Sequence, residues 1–249
     1  MIREDDINAL RHLVPFSEMT EPNLQRLVQT SYLQRFPAST QLIEEGDRAD
    51  MLHILLDGVV DLYGSFQERE STLIIMHPVR AFILAAIVQD LPYLMSARTV
   101  TPTRILMVPA SVAHDLLRTD SSFNHAMMRA LANEFRCVLK CLKSQKLRDG
   151  TERIAAYFLE LRHQNNDADV VKLPADRKAI ASYLGMTREN LSRSLQNVRD
   201  HGVVVRGVDV HFRDVSKLRE LAQPSRLIDE MDPEVEPERM PLSPNRRNE

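Results

Sequence analysis

Arg188, Glu189, Ser192 and Arg193 stand within one short stretch of the chain. Residues three and four apart share a face of a helix, so Glu189, Ser192 and Arg193 emerge together if the stretch is helical. An arginine fork donates two parallel hydrogen bonds, an ionised carboxylate only accepts, and a hydroxyl does either. That set answers the edges of base pairs in a major groove: Arg193 to guanine O6 and N7, Glu189 to the amino group of cytosine or adenine, and Ser192 to the neighbouring base. Arg188 lies at the same edge, within reach of phosphate. Arg177, Lys178, Thr187 and Arg199 add groups suited to phosphate oxygens, which fix register without reading sequence.

Such side chains act only if a scaffold presents them, and the flanking residues predict one. Ile180, Ala181 and Leu184 place apolar groups at helical spacing, and Gly185 permits a sharp turn because it has no Cβ. Thr187 is a good N-cap for a second helix in which Leu191, Leu195 and Val198 recur on one side. Ala181 is small where two crossing helices must approach. The pattern is a helix-turn-helix, whose second helix offers its N-terminal side chains to a groove. Between 177 and 199, Arg177, Lys178, Arg188, Arg193 and Arg199 face the single acid Glu189, on a chain whose net charge is −3. Gly202 closes the second helix, and 203–206 and 208–212 read as strands about a turn at Gly207-Val208-Asp209, a small wing. An ordinary helical hairpin accounts for the glycine and the stripe, but not for the charge or the wing.

The 249 residues leave room for two modest domains. No uninterrupted apolar run reaches the ~18 residues of a membrane span. The start, MIREDDINALRHL, is acidic and amphipathic, unlike a secretory signal. Cys137 and Cys141 are the only cysteines, which fits a reducing compartment and a cytoplasmic location. Ile7, Leu10, Leu13, Leu24, Leu27 and Val28, with Pro22 in a first turn, predict short helices over 5–29. From 31 to 108 the pattern turns to short strands: 32–36, 41–44, 52–56, 59–63, 72–76, 81–84, 98–100 and 104–108. Asp57-Gly58 predicts a tight hairpin between the third and the fourth. Many short strands at this spacing give a sandwich or barrel.

Residues 111–117 read as a short helix, and a long one follows Asp120-Ser121. Along it Met128, Leu131, Phe135, Val138 and Leu142 fall at spacings of three and four, the seam of two helices packed side by side. A lone helix could bury the same stripe on its own domain. Thr151 looks cap-like at the start of the next helix, which turns Ile154, Tyr157, Phe158 and Leu161 inward, and 164–169 reads as a polar loop. Residues 223–249 hold five prolines, a net charge of −3 and few large apolar groups, and read as a disordered tail.

A barrel of short strands, a long helix and a winged helix-turn-helix, in that order, resembles the CRP/FNR family of bacterial transcription regulators over roughly residues 10–221. The stretches that carry the resemblance are IEEGDRADMLHILLDGVVDLY (43–63), PASVAHDLL (109–117), ERIAAYFLEL (152–161) and LGMTRENLSRSL (184–195). It implies an α+β chain with a cyclic-nucleotide-binding-type β-roll (a double-stranded β-helix) and N-terminal helices over 1–119. A dimerisation helix over 120–148, a winged helix-turn-helix over 149–222 and the tail over 223–249 would follow. It implies a homodimer on double-stranded DNA, with RNA polymerase as a further partner, no membrane and no enzymatic activity. Glu189, Ser192 and Arg193 match the triplet of the FNR and FixK branch, which implies inverted repeats of TTGA-type half-sites and, as the commoner role there, activation. Ser194 stands at a position usually apolar in such motifs, which leaves Leu195 to take over that packing.

Members of the family that bind cyclic nucleotide carry a Gly-Glu pair for the ribose and an arginine further on for the phosphate. A buried cyclic phosphate needs a guanidinium or helix N-terminal amides to offset its charge. Here Leu84-Ala85 falls on the pair and Met95 on the arginine, while Arg98 points to the other face of its strand by parity. Cyclic AMP is not expected. An iron–sulfur cluster needs four thiolates, and the chain has two cysteines. Cys137 and Cys141, one helical turn apart, read as ordinary helix residues, with a redox-sensitive pair as the alternative. His12, His53 and His77 are the histidines a haem could use, although a lone barrel histidine is more often a hydrogen-bonded core group. A cupin-like metal enzyme would need His-x-His, and His53 is followed by Ile54-Leu55. No metal or other cofactor is expected. The remaining alternative makes the barrel a sensor of haem, a gas or another small molecule, with Leu84, Ala85, Ile87 and Met95 lining it.

Overall fold

The computed structural model describes residues 4–11, 14–78 and 80–229. It begins with three short helices, α1 (Glu4–Arg11), α2 (Val14–Ser17) and α3 (Glu21–Thr30). Pro22 sits in the first turn of α3, where its missing N–H costs nothing. Leu10, Phe16, Leu24 and Leu27 from these helices are fully buried. Leu13 and His12 fall outside the described residues.

Eight strands follow: β1 (Tyr32–Phe36), β2 (Gln41–Ile43), β3 (Met51–Asp57), β4 (Val60–Phe66), β5 (Arg69–Met76), β6 (Arg80–Phe82), β7 (Ser96–Thr99) and β8 (Thr103–Pro109). They form two antiparallel four-stranded sheets, ordered β1-β8-β3-β6 and β2-β7-β4-β5. Ile54, Leu106, Leu62 and Ala97 are among the inward residues that fill the roll between them. Where a strand to Leu84 was expected, β6 stops at Phe82 and a short helix, α4 (Leu84–Gln89), begins.

Asp57-Gly58 does not make the expected hairpin. β3 pairs with β6 and β8, and β4 pairs with β5 and β7, so this turn carries the chain from one sheet to the other. Its partner is the loop before β8: Val59 N–H donates to Thr101 Oγ1 (2.9 Å), and Val100 N–H donates to the Val59 carbonyl (2.8 Å). Gly58 has φ +91°, and a Cβ there would lie 2.5 Å from the Pro102 carbonyl oxygen. An Asp-Gly pair specifies a tight left-handed turn, but not which strands it joins. The tight hairpin of the roll is β4–β5, in which Phe66 pairs with Arg69 around Gln67 at φ 56°, while Gly64 lies inside β4 opposite Ser71.

Beyond the roll come α5 (Ala110–Thr119) and the long α6 (Ser121–Leu147). Asp120 caps α6, accepting from the backbone N–H groups of Ser122 and Phe123 and from Asn23 Nδ2 at 2.7 Å. Burial opposes its charge, but these hydrogen bonds outweigh that and hold its carboxyl below the usual range. Phe123 and Met127 seat the first half of α6 in the core of the roll.

The last unit contains α7 (Gly150–Gln164), β9 (Val170–Lys172), α8 (Arg177–Tyr183), α9 (Arg188–Asp200), β10 (Val203–Arg206), β11 (Asp209–Phe212) and α10 (Val215–Ala222). Asp149, not Thr151, caps α7, in a capping box with Glu152. β9 lies in a stretch too short to betray itself in the sequence, and pairs with β11 to make the wing three-stranded, in the order β10-β11-β9. Arg206 pairs with Asp209, so the wing turn is Gly207-Val208. This unit has its own core, built on Ile154, Phe158, Ile180, Leu191, Val198, Val210 and Leu218. Residues 223–229, expected as the start of a disordered tail, fold back on the end of α6 and on Arg148 just beyond it. Residues 230–249 lie outside the described residues.

Two glycines test the turn argument. Gly46 and Gly58 share a positive φ, but a Cβ at Gly46 meets nothing within 4 Å. Gly46→Ala should cost only the backbone strain, about 1–2 kcal/mol. Gly58→Ala adds about 1–3 kcal/mol for the collision with Pro102 and Thr103. Urea denaturation of the two variants measures the difference, and equal losses would remove the role given to the crossover.

Candidate nucleic-acid interface

Asp176 caps α8 by accepting from Ala179 N–H at 2.8 Å. Gly185 then takes φ +64°, and Met186 N–H returns to the Ala181 carbonyl at 2.9 Å. Thr187 caps α9, its hydroxyl accepting from Asn190 N–H at 3.2 Å. The turn is therefore closed at both ends, and α9 leaves it at a fixed angle.

The inward stripe of α9 is Leu191, Ser194 and Val198, with Leu195 half-buried at its border. Leu195 packs on the core as expected, but Ser194 keeps its own inward place. Ser194 is itself 7% exposed and faces Gly150 in the first turn of α7. A Cβ on Gly150 would come within 3.2 Å of Ser194 Oγ, so α7 and α9 approach too closely for a large side chain. A residue that breaks the apolar pattern is the one that lets the helices touch.

Arg188, Glu189, Ser192 and Arg193 all lie on the exposed side of α9. Asn190, which the sequence reasoning passed over, stands among them, and its Oδ1 accepts from Arg193 Nη2. The Glu189 carboxyl is held below the usual carboxylate range by its own backbone N–H and by the Thr187 hydroxyl, with the Arg188 and Arg193 charges adding to them. It is an ionised acceptor at neutral pH. Arg177 and Lys178 are exposed on the first turn of α8, and Arg177 Nη2 reaches the Gly207 carbonyl of the wing turn at 3.5 Å. Arg199 is exposed on the stripe of Arg188, about 16 Å further along α9 from the helical rise. The wing tip, Arg206 to Val208, is exposed as well. The strands on either side of its turn are legible in the sequence, but nothing there placed the tip beside α8.

Two family models match the chain: a cyclic nucleotide-binding domain over residues 33–120 and a Crp-like helix-turn-helix domain over residues 152–221. A CRP-like cAMP-activated global transcriptional regulator of Mycobacterium tuberculosis is 24% identical over 194 residues, covering 76% of this chain and 87% of that protein. The regulatory protein HlyX of Actinobacillus pleuropneumoniae is 20% identical over 213 residues, covering 84% and 88%. The structure of FixK2 from Bradyrhizobium japonicum superposes with a TM-score of 0.68 at 20% identity, covering 78% of this chain and 98% of that one. The chain belongs to the CRP/FNR family. It is a DNA-binding transcription regulator of the CRP/FNR type.

In this CRP/FNR regulator the roll shows where the remaining expected residues go. Leu84 and Ile87 are buried in the core, Ala85 is exposed and Met95 is half-buried, so the four do not line one surface. Arg98 lies on the face opposite Ala97, as parity required. It pairs with Asp61 and Glu70, each at 2.9 Å, and its guanidinium sits 4.1 Å from the centre of the Tyr63 ring. A hollow of about 380 Å³ on that face is lined by Glu44, Glu45 and Glu70 together with Gln41, Tyr63, Ser65 and Ser96. Three carboxylates make it a poor seat for a phosphate.

His53 is 4% exposed, stacked on Phe82 at 5.4 Å and edge-on to Tyr93, a core aromatic in use. His77 is exposed in the loop after β5. Among the described residues, no group of three or more His, Cys, Asp or Glu side chains is arranged to hold a metal ion. Cys137 and Cys141 are free thiols on α6, and burial pushes the Cys141 thiol up. On the long helix Met128, Phe135, Val138 and Leu142 are exposed, whereas Leu131 packs partly on the core of the roll. No described helix is long and apolar enough to cross a membrane.

Burial drives the His53 pKa down to about 4 from 6.5, against the Met51 carbonyl and Asp50, which favour its charge. Between those values the unfolded chain takes up a proton that the folded one refuses. The stabilisation is complete above pH 6.5 and is lost as pH falls toward 4. His53→Leu should flatten this part of the curve of denaturation midpoint against pH. A variant as acid-sensitive as the parent would show that the proton goes elsewhere.

Proposed function

We propose that the protein is a homodimeric transcription activator that reads an inverted repeat of TTGA-type half-sites and is not gated by cyclic AMP. The observation that carries this reading is the shared exposure of Glu189, Ser192 and Arg193 on the first two turns of α9, beside a wing and a basic helix start. Arg193 donates to guanine O6 and N7, Glu189 accepts from the amino group of cytosine or adenine, and Ser192 meets the neighbouring base. Arg188 works at the same edge. Arg177, Lys178, Thr187 and Arg199 bind phosphates along the flanking backbone. In the roll, the engagement of Arg98 with Asp61 and Glu70, and the buried Leu84, support independence from cyclic AMP.

The half-sites of such a repeat lie about 34 Å apart, one turn of DNA, so two copies of α9 must be held at that separation. The exposed stripe of α6 suits a second copy of this chain, since Phe135, Val138 and Leu142 repeat along one side of a helix that projects from the roll. RNA polymerase is the natural further partner of an activator, and the cytoplasm its place of action.

Fluorescence anisotropy with an inverted-repeat duplex tests the base contacts. Arg193→Ala should weaken binding to the intact site by about 1–3 kcal/mol and flatten preference at one base pair of each half-site. An equal loss on random DNA would reassign Arg193 to the backbone. Phe135→Lys should halve the mass seen in sedimentation and abolish binding to the repeat, and a variant that stays dimeric would move the seam off this stripe.

A further inference from the structure

One residue joins the end of α6 to the cap of α7. Arg148 follows Leu147, the last residue of the long helix, and precedes Asp149, which is committed to the capping box with Glu152. The direction in which α6 delivers the helix-turn-helix therefore depends on the backbone angles of Arg148, which is extended at φ −115°, ψ 147°. A free hinge of this kind would let the last unit swing.

Here the hinge is gripped on two sides. Arg153 of α7 donates through Nη1 to the Arg148 carbonyl at 2.6 Å and through Nε to the Leu184 carbonyl at 3.0 Å, tying the hinge backbone to the turn before α9. The Arg148 side chain, 8% exposed, makes a two-pronged pair with Asp229, with Nη1–Oδ1 and Nη2–Oδ2 both at 2.6 Å. Asp229 is itself oriented, since its Oδ2 accepts from Ser225 N–H at 2.7 Å. Lys143 of α6 donates to the Leu227 carbonyl at 3.2 Å, and Arg148 Nη2 also reaches the Gln223 carbonyl at 3.4 Å. The chain after α10 thus returns to the long helix and closes over the joint. Asp229 lies beyond residues 152–221, the span of the helix-turn-helix family model, so the clasp is no part of that shared domain.

An exposed ion pair is worth little because water competes and two side chains must be ordered. This pair is different. The guanidinium is nearly buried, the geometry is bidentate, and one partner is held by a neighbouring amide. Removing the carboxylate would leave a buried cation without its counter-charge and would free the turn at 225–229.

We propose that Arg148 and Asp229 are positioning residues for DNA recognition: the segment after α10 clasps the joint between the long helix and the helix-turn-helix, and sets the angle at which α9 is presented. The proposal rests on the reading of a dimer on an inverted repeat. A fixed angle sets the distance between the two copies of α9 before DNA is met, so the ordering cost of binding is reduced. The clasp acts on the spacing of the half-sites, not on the bases within them.

The test uses the full chain with Asp229→Ala and, as the conservative variant, Asp229→Glu. Binding is measured to inverted repeats whose central spacer is lengthened or shortened by one or two base pairs, and to a duplex with one half-site. Asp229→Ala should bind the preferred repeat at least tenfold more weakly, discriminate less between spacers, and bind the single half-site as the parent does. Asp229→Glu should recover most of the spacer selectivity. Amide exchange over 147–153, followed without DNA, should quicken at least tenfold in Asp229→Ala. If the parent ignores inverted repeats, the dimer reading fails, and the exchange measurement still decides the clasp. Unchanged exchange overturns it, as does parental spacer selectivity in Asp229→Ala. Tighter binding by Asp229→Ala would also overturn it, because the clasp would then oppose DNA.

Discussion

The seating of α9 against the first turn of α7 is the contact on which the site depends. Ser194 meets Gly150 there, between Leu191 and Val198, which are buried in the core of the last unit. Burying a leucine or valine side chain stabilises by about 1.5–3 kcal/mol. An exposed polar pair on the other side of the helix contributes about 0–1 kcal/mol. The inner side therefore decides where α9 lies, and the outer side is left to the chemistry of its partner. This division leaves Arg188, Glu189, Ser192 and Arg193 in water, with the bonds of Glu189 and Arg193 made only to the first turn of their own helix.

The roll divides its labour in a similar way. One face of the β2-β7-β4-β5 sheet supplies Leu62 and Ala97 to the core, and the other carries Asp61, Tyr63, Ser96 and Arg98. Asp61 is 3% exposed, so its charge needs the Arg98 guanidinium beside it, and Arg98 in turn is committed to Asp61 and Glu70. The alternation of a strand makes this choice: moving Arg98 by one position would carry its charge into the core.

The two cores meet where α8 docks on the edge strand β5. Ser182 of α8 accepts from Thr72 N–H of β5 at 2.7 Å and lies 3.0 Å from the Ser71 hydroxyl. With the joint at Arg148, this gives the last unit two attachments, one to the sheet edge and one to the long helix. A hydrogen bond at a sheet edge replaces one that the backbone group would make with water, so its net gain is small and it fixes orientation more than it adds stability.

What was legible in the sequence is what local physics settles. Apolar period gave α8, α9 and the long helix. The chemistry of Thr187 and Gly185 gave the turn between the helices, and the parity of a strand placed Arg98 on the outer face. These features depend on residues within a few positions of one another. The partner across Asp57-Gly58, the third strand of the wing, the inward place of Ser194 and the return of Asp229 to Arg148 were decided only by the tertiary structure. Each joins residues far apart in the chain, and each replaces a local preference with one set by a neighbour. An Asp-Gly turn does not say which strands it separates, a serine does not say that a glycine will meet it, and a polar segment does not say that a buried arginine awaits its carboxylate.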